Sequence, residues 1–185
     1  MDLGQNIRAW RSRLGLTLEA LAEQTGVSRA MLSDIERGLK NPTIKVVSQI
    51  AEGLGCTVSQ LIGEQTTDPV VLVRKAERQR LVDPETEVER SLLAPSLVRR
   101  GLELVWYQVP PGRSTGVFPA HRPGVVEHIT VLQGQLHCSL AGRTEVLEVG
   151  DSIFFPANIA HSFHNPGSEP CHYLLLIDSS QASSG

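Results

Sequence analysis

The sequence predicts a two-domain α + β protein: an all-α bundle of five helices over residues 1–62, joined to an all-β sandwich or barrel. Three observations carry this reading. Over residues 3–62 apolar residues recur with a helical period, in short segments cut by glycines and capping residues. Residues 63–69, GEQTTDP, are polar and end on a proline, the composition of a linker. Beyond them the apolar runs shorten, alternate with polar residues and are punctuated by Gly and Pro, the pattern of short strands joined by turns.

The helices follow in order. Leu3, Ile7, Trp10 and Leu14 recur at i, i+4, i+7 and i+11, one face of a first helix. Thr17 caps a second helix that carries Leu18, Leu21 and Ala22 and stops at Gly26. Ser28 caps a third, with Met31, Leu32 and Ile35 inward and Gly38 as its stop, and Asn41-Pro42-Thr43 breaks and restarts the chain. Val47, Ile50, Ala51 and Leu54 line a fourth helix ended by Gly55. Thr57 to Gln60 has the spacing of a capping box for a short fifth, with Cys56 and Leu61 as its hydrophobic staple.

The strand candidates are residues 70–73, 102–109, 129–132, 136–140, 146–149, 153–155 and 173–177. Residues 63–97 are a linker and leading-strand region, and residues 98–180 hold the body of the barrel. No apolar run approaches the ~20 residues of a membrane span, and the first residues lack the unbroken apolar stretch of a secretory signal. Cys56, Cys138 and Cys171 are scattered, odd in number and without CxxC spacing, which argues for a reducing compartment and against a disulfide framework or zinc finger. The expectation is a cytoplasmic protein. Net charge is −3, but residues 1–62 hold seven Lys/Arg against six Asp/Glu, so the mild basicity lies at the front.

Helix two, the turn at Gly26 and helix three form a helix-turn-helix arrangement. With Met31, Leu32 and Ile35 inward, Ala30, Ser33 and Arg37 fall on the opposite face, flanked by Arg29 and Asp34. Such short polar side chains suit a major groove, where Arg reads guanine, Ser reads either base type and Ala meets a thymine methyl. Ser28 and the free amides at the helix start suit a phosphate. The string LGLTLEALAEQTGVSRAMLSDIERGLKNPT resembles the phage-repressor-like (XRE-type) helix-turn-helix family over roughly residues 3–62. That resemblance implies a dimer on paired half-sites of double-stranded operator DNA, contacted by Thr17, Ser28, Arg29, Ala30, Ser33, Arg37, Lys40 and Asn41. It also implies an ion pair between Arg11 and Glu36. Leu18 departs from the pattern, standing where a polar phosphate contact is common.

Two strings in the second half, AHRPGVVEHITVLQG (residues 120–134) and GDSIFFPANIAHSFHNPG (residues 150–167), resemble the motifs of the cupin superfamily. Gly150, Pro156, His161 and Asn165 fit the second motif, with Asn158 in place of its middle glycine. His121, Glu127 and Gly134 fit the first, while Pro123 occupies the position of its second histidine. The resemblance implies a double-stranded β-helix (jelly-roll) barrel and a metal site made of His121, Glu127 and His161. Two imidazoles and a carboxylate suit one divalent metal, with zinc, iron, nickel and manganese all open.

The remaining candidates have plainer readings. His128 alternates away from Glu127 and points outward, and His137, His164 and His172 sit at polar-face positions. Cys138 reads as a small buried hydrophobe, and Arg99, Arg100 and Arg122 as solvated surface. Together the two resemblances imply a non-enzymatic transcriptional regulator, a homodimer whose barrel binds a small-molecule effector, with no membrane partner. The alternative is a mononuclear metal-dependent cupin oxygenase or epoxidase that retains the helical domain.

Overall fold

The computed structural model describes residues 3–62 and 70–182, and the chain divides into two compact units, Met1–Gln65 and Thr66–Gly185. The first unit holds five helices: α1 (Leu3–Arg13), α2 (Leu18–Thr25), α3 (Arg29–Glu36), α4 (Ile44–Gly53) and α5 (Val58–Ile62). Their starts are set locally. The hydroxyls of Thr17, Ser28 and Thr43 each accept from the backbone N–H three residues on, at 3.1, 3.2 and 3.2 Å. Before α5 the capping box closes both ways: Gln60 N–H donates to Thr57 Oγ1 at 3.1 Å, and Thr57 N–H to Gln60 Oε1 at 2.8 Å. Gly26 ends α2 at φ +68°, a conformation that strains any residue with a Cβ.

Ile7, Leu21, Leu32, Ile35, Val47, Ile50 and Leu61 form the core of this unit. At Gly4 a Cβ would stand 2.1 Å from the Ile35 carbonyl oxygen, so only glycine lets α1 lie this close to α3. Asn6 Nδ2 donates to the Ile62 carbonyl at 3.0 Å and ties α1 to the end of α5. One expectation fails here. Leu14 lies past the end of α1 and is 50% exposed, because the helix stops at Arg13 and its inward face runs through Gly4, Asn6 and Ile7.

The second unit is two antiparallel sheets of ten strands: β1 (Arg80–Val82), β2 (Glu89–Leu92), β3 (Leu102–Val109), β4 (Ser114–Phe118), β5 (Val126–Gln133), β6 (Leu136–Leu140), β7 (Arg143–Leu147), β8 (Ser152–Pro156), β9 (His161–His164) and β10 (Cys171–Asp178). One sheet runs β1-β2-β3-β10-β5-β8 and the other β4-β9-β6-β7, the jelly-roll architecture. Strict alternation on β3 sends Glu103, Val105, Tyr107 and Val109 inward. Opposite them, β10 contributes Cys171, Tyr173 and Leu175 in register. Residues 70–73 form no strand, a correction to the sequence reading: the apolar run is there, but no neighbouring strand takes it up. Four strands, β1, β2, β4 and β9, lie outside the expected runs, since they are short or rich in Ser, Thr, His and charge. Among the described residues no helix is long and apolar enough to cross a membrane.

Candidate functional site

The helical unit presents one polar face. Ser28, Arg29, Ala30, Ser33 and Arg37 lie on α3 or at its ends, Thr17 caps α2, and Lys40 and Asn41 follow in the turn toward α4. All are exposed except Ser33, which is half-buried. Arg29 pairs with Glu19 of α2, and Arg37 with Asp34 at 2.6 Å. Both pairs are largely solvated, so exchanging their carboxylates for a phosphate or base edge costs little. Arg11 is different. Its Nε and Nη2 donate to the two oxygens of Glu36 at 2.7 and 2.9 Å, and its Nη1 to the Leu16 carbonyl at 2.8 Å. With side chains only 15% and 7% exposed, this fork fixes the end of α3 on α1.

The barrel gathers a second set. On β5, Glu127, Ile129 and Val131 face inward, while His128 is exposed. His161 opens β9 and faces inward. His121 lies in the loop between β4 and β5, held by a hydrogen bond from its backbone N–H to the Ala157 carbonyl at 2.9 Å. The Nε2 atoms of His121 and His161 lie 3.3 and 3.6 Å from Glu127 Oε1. His161 Nδ1 lies 2.9 Å from the Ile159 carbonyl oxygen. A carbonyl only accepts, so Nδ1 carries a proton, and Nε2 is the ring atom turned toward Glu127. Rings of Phe118, Phe155 and Phe163 surround His161 at 5.5, 5.6 and 5.6 Å. The Glu127 side chain is 2% exposed and that of His121 23%, so the cluster opens toward solvent on the His121 side.

These residues fit a divalent cation. One donor atom from each lies within 4.8 Å of the others, and Glu127 Oε2 is buried without a hydrogen-bond partner. Ligands ~2.0–2.2 Å from a metal stand roughly 3.0–3.5 Å from one another, close to the 3.3 and 3.6 Å that separate the two imidazoles from Glu127. Pro123, exposed in the same loop, offers no donor.

Several interior residues escaped the sequence reading. Arg90 and Glu103 form a buried ion pair. Tyr107 and Tyr173 stack at 5.1 Å with planes 5° apart, and the Tyr173 hydroxyl is buried without a partner. Burial above all pushes the Tyr107 hydroxyl up to about 12 and holds that of Tyr173 well above its ordinary value. The available signal was phase, because Glu103 and Tyr107 share the inward parity of Val105 and Val109. Cys138 is fully buried, while Arg99 and Arg100 are exposed.

The cupin domain family matches residues 105–177, and the helix-turn-helix family matches residues 7–61. The HTH-type transcriptional regulator SutR of Escherichia coli is 30% identical over 179 residues, covering 95% of this chain and 93% of its own length. The E. coli HTH-type transcriptional regulator PuuR is 24% identical over 174 residues, 92% of this chain and 91% of its own. Among solved structures, an HTH_3 family transcriptional regulator from Vibrio cholerae matches with a TM-score of 0.79 at 28% identity, covering 100% of this chain and 96% of that one. Iron(II) HppE, with a TM-score of 0.50 at 19% identity, covering 95% of this chain and 97% of that one, shares the fold.

Proposed function

Because the chain belongs to the family of helix-turn-helix transcriptional regulators with a C-terminal cupin domain, we propose that it couples operator binding through α3 to occupancy of its barrel by a small effector. The observation that supports the sensing half most strongly is the convergence of His121, Glu127 and His161 on a buried, partly solvent-accessible point. A divalent cation held there, whether zinc, iron, nickel or manganese, would supply a Lewis-acidic centre with open positions for an effector oxygen or nitrogen. The phenylalanines around His161 lower the local dielectric and sharpen the preference for a ligand of matching charge. Ser28, Arg29, Ala30, Ser33, Arg37, Lys40 and Asn41, with Thr17, supply the contacts to DNA, one set from each half of a homodimer.

The coupling is thermodynamic linkage. An effector that binds the DNA-competent and incompetent dimers with affinities differing tenfold shifts their equilibrium by ~1.4 kcal/mol for each barrel occupied. The chain is read as a non-enzymatic, cytoplasmic regulator. One observation favours a second reading: two histidines and one carboxylate are also the ligand set of non-haem iron oxygenases. Metal analysis of untagged protein, paired with operator affinity measured with and without chelator, tests the proposal. His121→Ala, Glu127→Gln and His161→Ala should lose metal and its effect on operator affinity, whereas His128→Ala should keep both. Metal retained in His161→Ala, or turnover of an oxidisable substrate without any effect on DNA binding, would overturn it.

A further inference from the structure

A groove of about 460 Å³ lies on the outer face of the six-stranded sheet, on the opposite side of β3 and β10 from the barrel interior. Its floor is Trp106 and His172, on adjacent strands with ring centroids 5.2 Å apart. The segment before β1 brings Lys75 and Arg78 to its wall, and β1 brings Arg80. Its one carboxylate, Glu89, is already engaged: Ser91 Oγ donates to it at 2.7 Å, and Arg80 pairs with it at 3.8 Å. Lys75 and Arg78 form no ion pair among the described residues, and Arg78 Nε is buried without a hydrogen-bond partner. Burial, and then Lys75, hold His172 below its ordinary value, so its ring adds no fixed charge. Three cations against one carboxylate leave two positive charges uncompensated beside an indole.

Two uncompensated cations on one wall of a groove create a positive potential that favours an anion of matching charge. A single carboxylate would neutralise half of the surplus, and a bare anion would leave the indole unused. We propose that this groove binds a phosphomonoester of a planar heteroaromatic group, the simplest being a nucleoside monophosphate. Its phosphate carries about −1.5 to −2 at neutral pH and meets Lys75 and Arg78. Its ring lies over Trp106, where stacking tolerates a range of heterocycles, and the Gln108 amide at the same floor can meet a polar ring edge. The site is separate from the His121, Glu127 and His161 cluster, so it gives the regulator a second input.

Trp10 and Trp106 are the only tryptophans of the chain, so the full-length Trp10→Phe variant reports on Trp106 alone. AMP titrated into it should change Trp106 emission saturably, with calorimetry on the unaltered chain giving the same affinity. Adenosine and inorganic phosphate should each bind at least about tenfold more weakly, since each satisfies half of the site. Arg78→Gln and Lys75→Gln should each weaken AMP about tenfold or more; Lys75 is exposed, so its replacement leaves the fold intact. Adenosine binding as well as AMP, or AMP affinity unchanged in both variants, would overturn the assignment. So would Trp106 emission that follows protein concentration and ignores AMP, since a second copy would then cover the groove.

Discussion

Replacing Glu36 by Gln tests whether one ion pair holds α3 in place. Glu36 receives both arms of the Arg11 fork, at 2.7 and 2.9 Å, and its side chain is 7% exposed. Glutamine keeps the shape and one acceptor but loses the charge, leaving one guanidinium donor unmatched in a site with little access to water. Arg11 still reaches the Leu16 carbonyl, so the loss falls below that of a fully buried pair, at ~2–3 kcal/mol. A helical domain of this size has ~3–9 kcal/mol of stability in all. The helical melting transition should therefore fall by roughly 10–20 °C. Far-UV circular dichroism follows it, since the β-barrel contributes little helical signal. A double-mutant cycle with Arg11→Met should return most of the loss as coupling energy. A loss below ~0.5 kcal/mol, the range of exposed surface pairs, would refute the reasoning.

Asn165 is fully buried, donates from Nδ2 to the Val109 and Glu169 carbonyls at 2.9 and 2.8 Å, and accepts from Gly167 N–H at 2.9 Å. Asn165→Ala should therefore cost the barrel ~2–4 kcal/mol in urea denaturation without changing its metal content; a loss of metal at unchanged stability would contradict this structural role. Burial pushes the thiols of Cys138 and Cys171 up to about 12 and about 11, so both should resist iodoacetamide in the native protein and react once it unfolds. A raised value in the folded state favours the protonated form there, so barrel stability should decline as pH rises from the ordinary thiol value of 9.0 toward about 12. Native-state labelling of Cys138 at neutral pH would contradict its burial.

How much the sequence revealed follows from how local each interaction is. Thr17 and Ser28 were legible because a cap and the amide it serves are three residues apart, and the Thr57–Gln60 capping box for the same reason. The cluster of His121, Glu127 and His161 was legible through the spacing of two motifs, although the chain folds Glu127 and His161 together from strands in different sheets. The Arg90–Glu103 pair was not. It depends on β2 pairing with β3 so that Arg90 stands opposite Tyr107, a register that nothing within β2 announces. Residues 70–73 misled for the converse reason, since they are a β-branched-rich apolar run such as strands contain and find no partner. Leu14 continued the helical period, but the helix ends at Arg13 and the backbone turns away at Gly15, φ +67°. Side-chain pattern alone does not mark where a helix ends.

The most direct test of the account is selection of duplexes from a randomised pool by the purified full-length chain, repeated with Arg29→Ala, Ser33→Ala and Ser28→Ala. A pseudo-palindrome with half-site centres ~34 Å apart should be enriched. Arg29→Ala and Ser33→Ala should relax base preference at defined positions by ~1–3 kcal/mol, and Ser28→Ala should weaken binding to all sequences alike. A pool that stays random, or an enriched sequence that none of the three variants alters, would contradict it.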